Sequence, residues 1–206
     1  MRANVLAGLL WWGTLHTNVD LQGRSVDVVV DLDVEELDRR GGAVCPDRDA
    51  LWAFSLLPEE LPVPASAVDP CIRAALGGVS ACWISYPSGF IVRHYRPPLR
   101  IAGITAARKR WQDSVHAVGI FAADAPRAIV VSEVPQSRSG IWQATRELGI
   151  GLVVDDGQRT EILHPPDRHL VRPGFELWSL AEEIYSVIST TLTTTGEPRR
   201  AVRQAL

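Results

Sequence analysis

Ala128-Ile129-Val130-Val131-Ser132-Glu133-Val134-Pro135, followed by residues 136–149 and then Ile150-Gly151-Leu152-Val153-Val154-Asp155, is the stretch that decides the architecture. Its opening run is apolar and rich in β-branched residues, which suits a buried strand. Pro135 ends that ladder because it has no N–H to donate. Ser137 or Ser139 offers a helix cap, and Ile141, Ala144, Thr145 and Leu148 recur on one helical face. Gly149 suits the left-handed position that closes such a helix. Ile150 to Val154 then reads as a second buried strand, stopped by the turn signal Asp155-Asp156-Gly157. Strand, short helix and strand with short connections imply a right-handed parallel unit, and so an α/β protein.

Working outward, the 206 residues are enough for one domain with additions or for two small ones. Cys45, Cys71 and Cys82 are odd in number and share no metal-ligand spacing. They read as free thiols in a reducing compartment, and a cytoplasmic location is expected. The apolar run from Val5 to Trp12 is too short to span a bilayer and lacks a cleavage pattern, so no membrane association is expected.

Charge is distributed unevenly. Residues 1–69 hold five arginines against twelve Asp or Glu, whereas residues 70–112 hold six arginines and Lys109 with no acid at all. A basic block of that length in a chain of net charge -3 either faces a polyanion or docks on the acidic block before it.

The acidic block contains an alternating run, Arg24 to Asp33, that reads as a strand, then a short helix over Val34 to Arg40 closed by Gly41-Gly42. Asp27, Asp31 and Asp33 share a strand face and read as a solvated edge. Leu9 to Gly13 reads as a strand or buried edge whose adjacent tryptophans, Trp11 and Trp12, point opposite ways. The proline-rich segment Pro58 to Pro64 reads as a linker, with a boundary near Ser66. A helix starts at Asp69-Pro70. Strands are expected over Ala81–Ser85 and Gly89–Tyr95, joined by Tyr86-Pro87-Ser88-Gly89, and over Val115–Phe121. Gly103 to Gln112 leans helical through Ala106, Ala107 and Arg108-Lys109-Arg110. Thr160 to Leu163 pairs back through the Asp-Gly turn, and Leu177, Leu180, Ala181, Ile184, Val187 and Ile188 mark a long amphipathic C-terminal helix. The expected divisions are an acidic extension over 1–65, an α/β core over 66–172, a helix over 173–195 and a tail over 196–206.

This order of elements from residue 69 to about 165 resembles the restriction-endonuclease-like superfamily, whose core is a helix, a three-strand meander, a helix and a further strand. The resemblance implies a mixed sheet flanked by helices, with an Asp on one strand and a Glu-x-Lys on the next, directly before a helix. Asp113, ahead of Val115–Phe121, and Glu133, at the end of Ala128–Val134, are the acids it points to. Were the site active, they would hold Mg²⁺ against a scissile phosphate. Pro135 stands where the family carries lysine, Lys109 is the only lysine in the chain, and Arg138 is a poor base because it does not give up its proton.

The expected function is therefore a non-catalytic domain of this kind, needing no cofactor, that binds DNA or RNA or serves in a nucleic-acid-associated assembly. Arg93, Arg96, Arg100, Arg108, Lys109 and Arg110, interleaved with His94, Tyr95 and Trp111, are the candidate contacts, since arginine pairs with phosphate and aromatic rings stack on bases. The alternatives are a Mg²⁺-dependent nuclease using Asp113 and Glu133, and a structural subunit that packs on a protein partner or a second copy. No serine-hydrolase signature is legible, because Ser85, Ser88 and Ser139 lack the glycines of a nucleophile elbow. His16, His94, His116, His164 and His169 form no ligand set at recognisable spacing.

Overall fold

Val26, Val28 and Val30 alternate with polar neighbours, and they anchor the strand around which the main sheet forms. In a computed structural model, which describes residues 10–45, 47–121, 125–133, 138–167 and 174–194 (138–139 and 191–194 as backbone only), this strand is β2, Arg24–Leu32. It pairs antiparallel on one side with β1, Thr14–Leu21, and on the other with β6, Leu99–Ala107. The first helix among the described residues, α1, spans Val34–Arg40: Asp33 caps it by accepting from the Glu36 N–H at 3.0 Å, and Gly41 closes it at φ 60°.

From β6 the chain runs through α4, Trp111–Gly119, into β7, Arg127–Val131. It continues through α5, Arg138–Glu147, into β8, Ile150–Asp155, and turns back into β9, Thr160–His164. β6, β7 and β8 are mutually parallel, with Ala128 opposite Gly151, and β9 is antiparallel to β8. The six-stranded order is β1-β2-β6-β7-β8-β9. The long helix α6, Phe175–Thr194, packs with α4 and α5 on one face through Val118, Ile141 and Ile184. Leu10 and Trp11 cover the other face over Val29, Ala128, Val130 and Val153. Gly103 permits that cover, because a Cβ there would collide with the Trp11 indole.

Between α1 and β6 lies a second layer: α2, Arg48–Ser55; β3, Val63–Pro64; α3, Pro70–Ala75; β4, Ile84–Ser85; and β5, Phe90–Arg93. Its three strands order as β3-β5-β4 over a core of its own that includes Leu51, Phe54, Ile91 and Tyr95. A buried ionic cluster ties the layers together. Arg40 of α1 donates to Glu36 at 2.9 Å, to Glu182 of α6 at 2.9 Å and to the Arg96 carbonyl at 2.9 Å. Glu182 also accepts from the Tyr95 hydroxyl and the Cys45 N–H, both at 3.0 Å.

Several elements differ from the sequence-based expectation. Val115 to Phe121 is not a strand: its residues lie mostly in α4, where Ser114, Ala117 and Val118 are buried at helical spacing. The segment leaning helical from Gly103 instead contributes the second half of β6, because pairing to Val29, Val28 and Asp27 outweighs the helix preference of its alanines. The strand β1 starts at Thr14, and Trp11 and Trp12 just before it are 4% and 86% exposed. β1 and β2, from the stretch expected to form an acidic extension, make up one end of the main sheet.

Candidate functional site

Parallel strands place their carboxyl ends, and the loops that follow, along one edge of a sheet. Arg108-Lys109-Arg110 forms the whole connection from β6 to α4, and all three residues are exposed. The Arg108 N–H donates to the Ser114 hydroxyl at 2.9 Å, and its guanidinium donates to the Ser25 carbonyl, so the loop is pinned to α4 and β2. Lys109 and Arg110 make no ion pair among the described residues.

Asp113 lies in the first turn of α4, exposed, and not at a strand end as the sequence suggested. An acid there is accounted for by the partial positive charge of the helix N-terminus. Glu133 is exposed two residues beyond β7. Both acids thus belong to the carboxyl edge, on successive connections. Pro135 lies outside the described residues, as do His169 and the side chain of Arg138. Among the described residues no three His, Cys, Asp or Glu side chains gather as a metal ion would require.

The remaining candidate arginines pair with the acidic block, Arg93 from a buried position and Arg96 and Arg100 at the surface. Arg93, only 8% exposed, donates to the Phe54 carbonyl at 3.1 Å, lies 3.5 Å from Glu59 and stacks over Trp178 at 5.3 Å. Burial lowers its affinity for the proton, and Glu59 opposes that shift. Arg96 reaches Glu59 at 2.5 Å, and Arg100 reaches Asp31 at 3.2 Å. A cleft of about 770 Å³ opens beside these last pairs, at the amino end of β6, with Trp12, Asp33, Leu177 and Trp178 among its walls. Of its carboxylates, Asp31 and Glu59 are engaged by Arg100 and Arg96, and Asp33 caps α1.

Directly opposite Asp27 in the β2–β6 register is Thr105, followed by Ala106 and Ala107. Asp27 accepts from the Asn18 N–H at 2.9 Å, and the Thr105 hydroxyl is fully buried without a partner among the described residues. A carboxylate and an adjacent hydroxyl, with no second acid, fit Mg²⁺ poorly.

The four histidines among the described residues, His16, His94, His116 and His164, do not converge, but one enters a chain that spacing did not reveal. His94 lies 2.8 Å from Ser85 through Nε2 and 2.8 Å from Glu60 through Nδ1. The hairpin β4–β5 brings the first pair together, and a bridge from Glu59 to Arg93 brings the second. His164 is held by Thr145 at 2.8 Å, and His116 by Arg24 at 3.0 Å. No protein-family model, no curated protein and no solved structure matches the chain.

Proposed function

We propose that the chain is a non-catalytic restriction-endonuclease-like domain that binds nucleic acid at the carboxyl edge of its main sheet. Support comes from the antiparallel meander β1-β2-β6, the helix α4 and the parallel strand β7, which repeat the meander, helix and strand of the superfamily's core, although from Thr14 and not from residue 69, and with no helix ahead of β1 among the described residues. In this placement the strand directly before the helix is β6, so Thr105-Ala106-Ala107 stands where the family carries Glu-x-Lys, across from Asp27. Neither the second acid nor the lysine is present there. Loss of the reaction with retention of the scaffold is the reading that follows.

The observation that carries the binding function is the Arg108-Lys109-Arg110 loop, exposed and backbone-anchored at the edge, while Arg93, Arg96 and Arg100 are engaged by Glu59 and Asp31. Three phosphate contacts would give a slope of log affinity against log salt of about -2 to -3. Fluorescence anisotropy with labelled duplex DNA, single-stranded DNA and RNA at low salt tests this. The expected result is binding with that slope, and a slope smaller by about 2 for Arg108→Glu with Arg110→Glu. Undetectable binding to all three probes sinks the reading. Incubation with Mg²⁺ tests the nuclease alternative: cleavage that disappears in Asp113→Ala or Glu133→Ala protein would replace the binding role with a catalytic one.

A further inference from the structure

We infer that Ser85, His94 and Glu60 form a Ser-His-Glu triad on the outer face of the small sheet, competent for acyl transfer from esters with good leaving groups. This site is separate from the carboxyl edge, where the reaction lost is that of a nuclease, and it does not depend on nucleic-acid binding. Glu60 carries only acceptor oxygens, so with a neutral ring the Nδ1–H of His94 donates to it at 2.8 Å. Nε2 is then the acceptor, and the Ser85 hydroxyl donates to it at 2.8 Å. One tautomer satisfies both bonds, and it is the one a general base needs.

The acid is held in place by backbone. Glu60 has φ 55°, a left-handed conformation that a side chain of its kind seldom adopts, and its N–H donates to the Arg93 carbonyl at 2.8 Å. Its neighbour Glu59 is taken by Arg96 at 2.5 Å and Arg93 at 3.5 Å. The two acids are thereby separated, one neutralised by arginine and one left to His94. The nucleophile is accessible: Ser85 is half-buried, and His94 is 29% exposed at its side chain. Val92, paired with Ser85, and Phe90, 41% exposed, lie on the same face, because they alternate with Ile91 and Arg93, which are buried. They give an apolar floor for an acyl or aryl group.

In the reaction the Ser85 Oγ attacks the ester carbonyl carbon while its proton passes to His94 Nε2. The bond to the leaving alcohol breaks, His94 returns that proton to the alkoxide, and an acyl-Ser85 ester remains. Water then attacks this ester with His94 taking one proton, and Ser85 recovers it as the carboxylic acid departs. The balance is ester plus water to acid plus alcohol. Aryl esters are the substrate class, since a phenolate leaves with little help at the developing oxyanion.

The test uses the full chain with p-nitrophenyl acetate and butyrate, and a fluorophosphonate probe read by peptide mass spectrometry. The expected result is turnover above buffer and one phosphonylated peptide, modified at Ser85. Ser85→Ala and His94→Ala fall to the uncatalysed rate, and Glu60→Gln, a positioning residue, loses about 100-fold in kcat with KM unchanged. Circular dichroism confirms that each variant is folded, and the labelling arm requires no variant. Absence of label, label on a different serine, or unchanged hydrolysis by Ser85→Ala overturns the proposal.

Discussion

Replacing Arg40 by methionine tests how the two layers are held together. The guanidinium donates to Glu36, Glu182 and the Arg96 carbonyl, and it stacks over Trp83, Tyr95 and Tyr185 at 5.5, 5.9 and 5.4 Å. Methionine keeps the aliphatic stem and removes the charge. Glu36 and Glu182, with side chains 0% and 3% exposed, are then left without their shared cation. Breaking a buried pair in this way costs about 3–5 kcal/mol. The cost depends on pH. In the wild type, burial raises the proton affinity of Glu182 and Arg40 is the main opposing influence. Without Arg40 the folded-state carboxyl rises further above its unfolded value. Stability from such a raised acid is fully present below the unfolded pKa and is lost as pH rises through the folded one, so the deficit of the variant is largest at neutral pH and narrows in acid. Urea unfolding followed by tryptophan emission at about pH 7.5 and about pH 5 measures both quantities. Arg40→Met with Glu182→Gln recovers at least about 1 kcal/mol of the loss, since the pair is coupled. A deficit under about 1 kcal/mol at the higher pH, or one equal at both, refutes this account of the cluster.

Two further outcomes follow from packing. Gly103→Ala drives a methyl into the Trp11 indole and lowers stability by about 1–3 kcal/mol, and Trp11→Ala in the same chain relieves that part of the loss, as urea midpoints of the single and double variants will show. Cys45 is 2% exposed, and burial together with the Glu182 carboxylate pushes its thiol up to about 12. Under native conditions at about pH 8 a disulfide reagent therefore modifies Cys71 and Cys82 and reaches Cys45 only after denaturation; three fast-reacting thiols would contradict the burial.

What was legible in the sequence had a local cause. β7, β8 and the helix between them follow from β-branched runs and a glycine stop, and α1 follows from Gly41 at its end, while Asp33, which reads as the last residue of the strand, is its cap. α4 is hard to read because Val115, Ala117, Val118, Ile120 and Phe121 make a dense apolar run in which period two and period 3.6 are hard to separate; the burial of Ser114 and Val118 shows the helical period. β6 is hidden because alanine, glycine and arginine disguise a strand whose pairing with β2 is non-local. The two effects compound: a strand at Val115 puts Asp113 at its start, whereas a strand ending at Ala107 puts that acid in a helix turn. The Ser85–His94–Glu60 chain left one faint trace, the turn that joins the arms bearing Ser85 and His94, in which the Phe90 N–H donates to the Pro87 carbonyl at 2.9 Å. Glu60 arrives from outside that hairpin, and nothing in spacing announces it.

The uneven charge of the sequence now has a structural meaning that separates two kinds of arginine. Arg93, Arg96 and Arg100 sit near the amino end of β6 or just ahead of it, where the acidic block supplies Glu59 and Asp31, so each is paired with an acid of its own chain. Arg108, Lys109 and Arg110 come at the carboxyl end of the same strand, where the acids nearby in sequence are the helix-turn Asp113 and none before it back to Asp69. One strand thus carries a neutralised end and a positive end about 30 Å apart for nine extended residues. At physiological salt the Debye length is about 8 Å, so the acids at the amino end do not reach a polyanion held at the other, and Asp113 and Glu133, which share the carboxyl edge, form no ion pair with the three basic residues among the described residues. A protein with net charge -3 can then hold phosphate at one edge, provided that contact is confined to that edge. Salt dependence limited to two or three charges, and insensitive to Arg100→Glu, is what that separation requires.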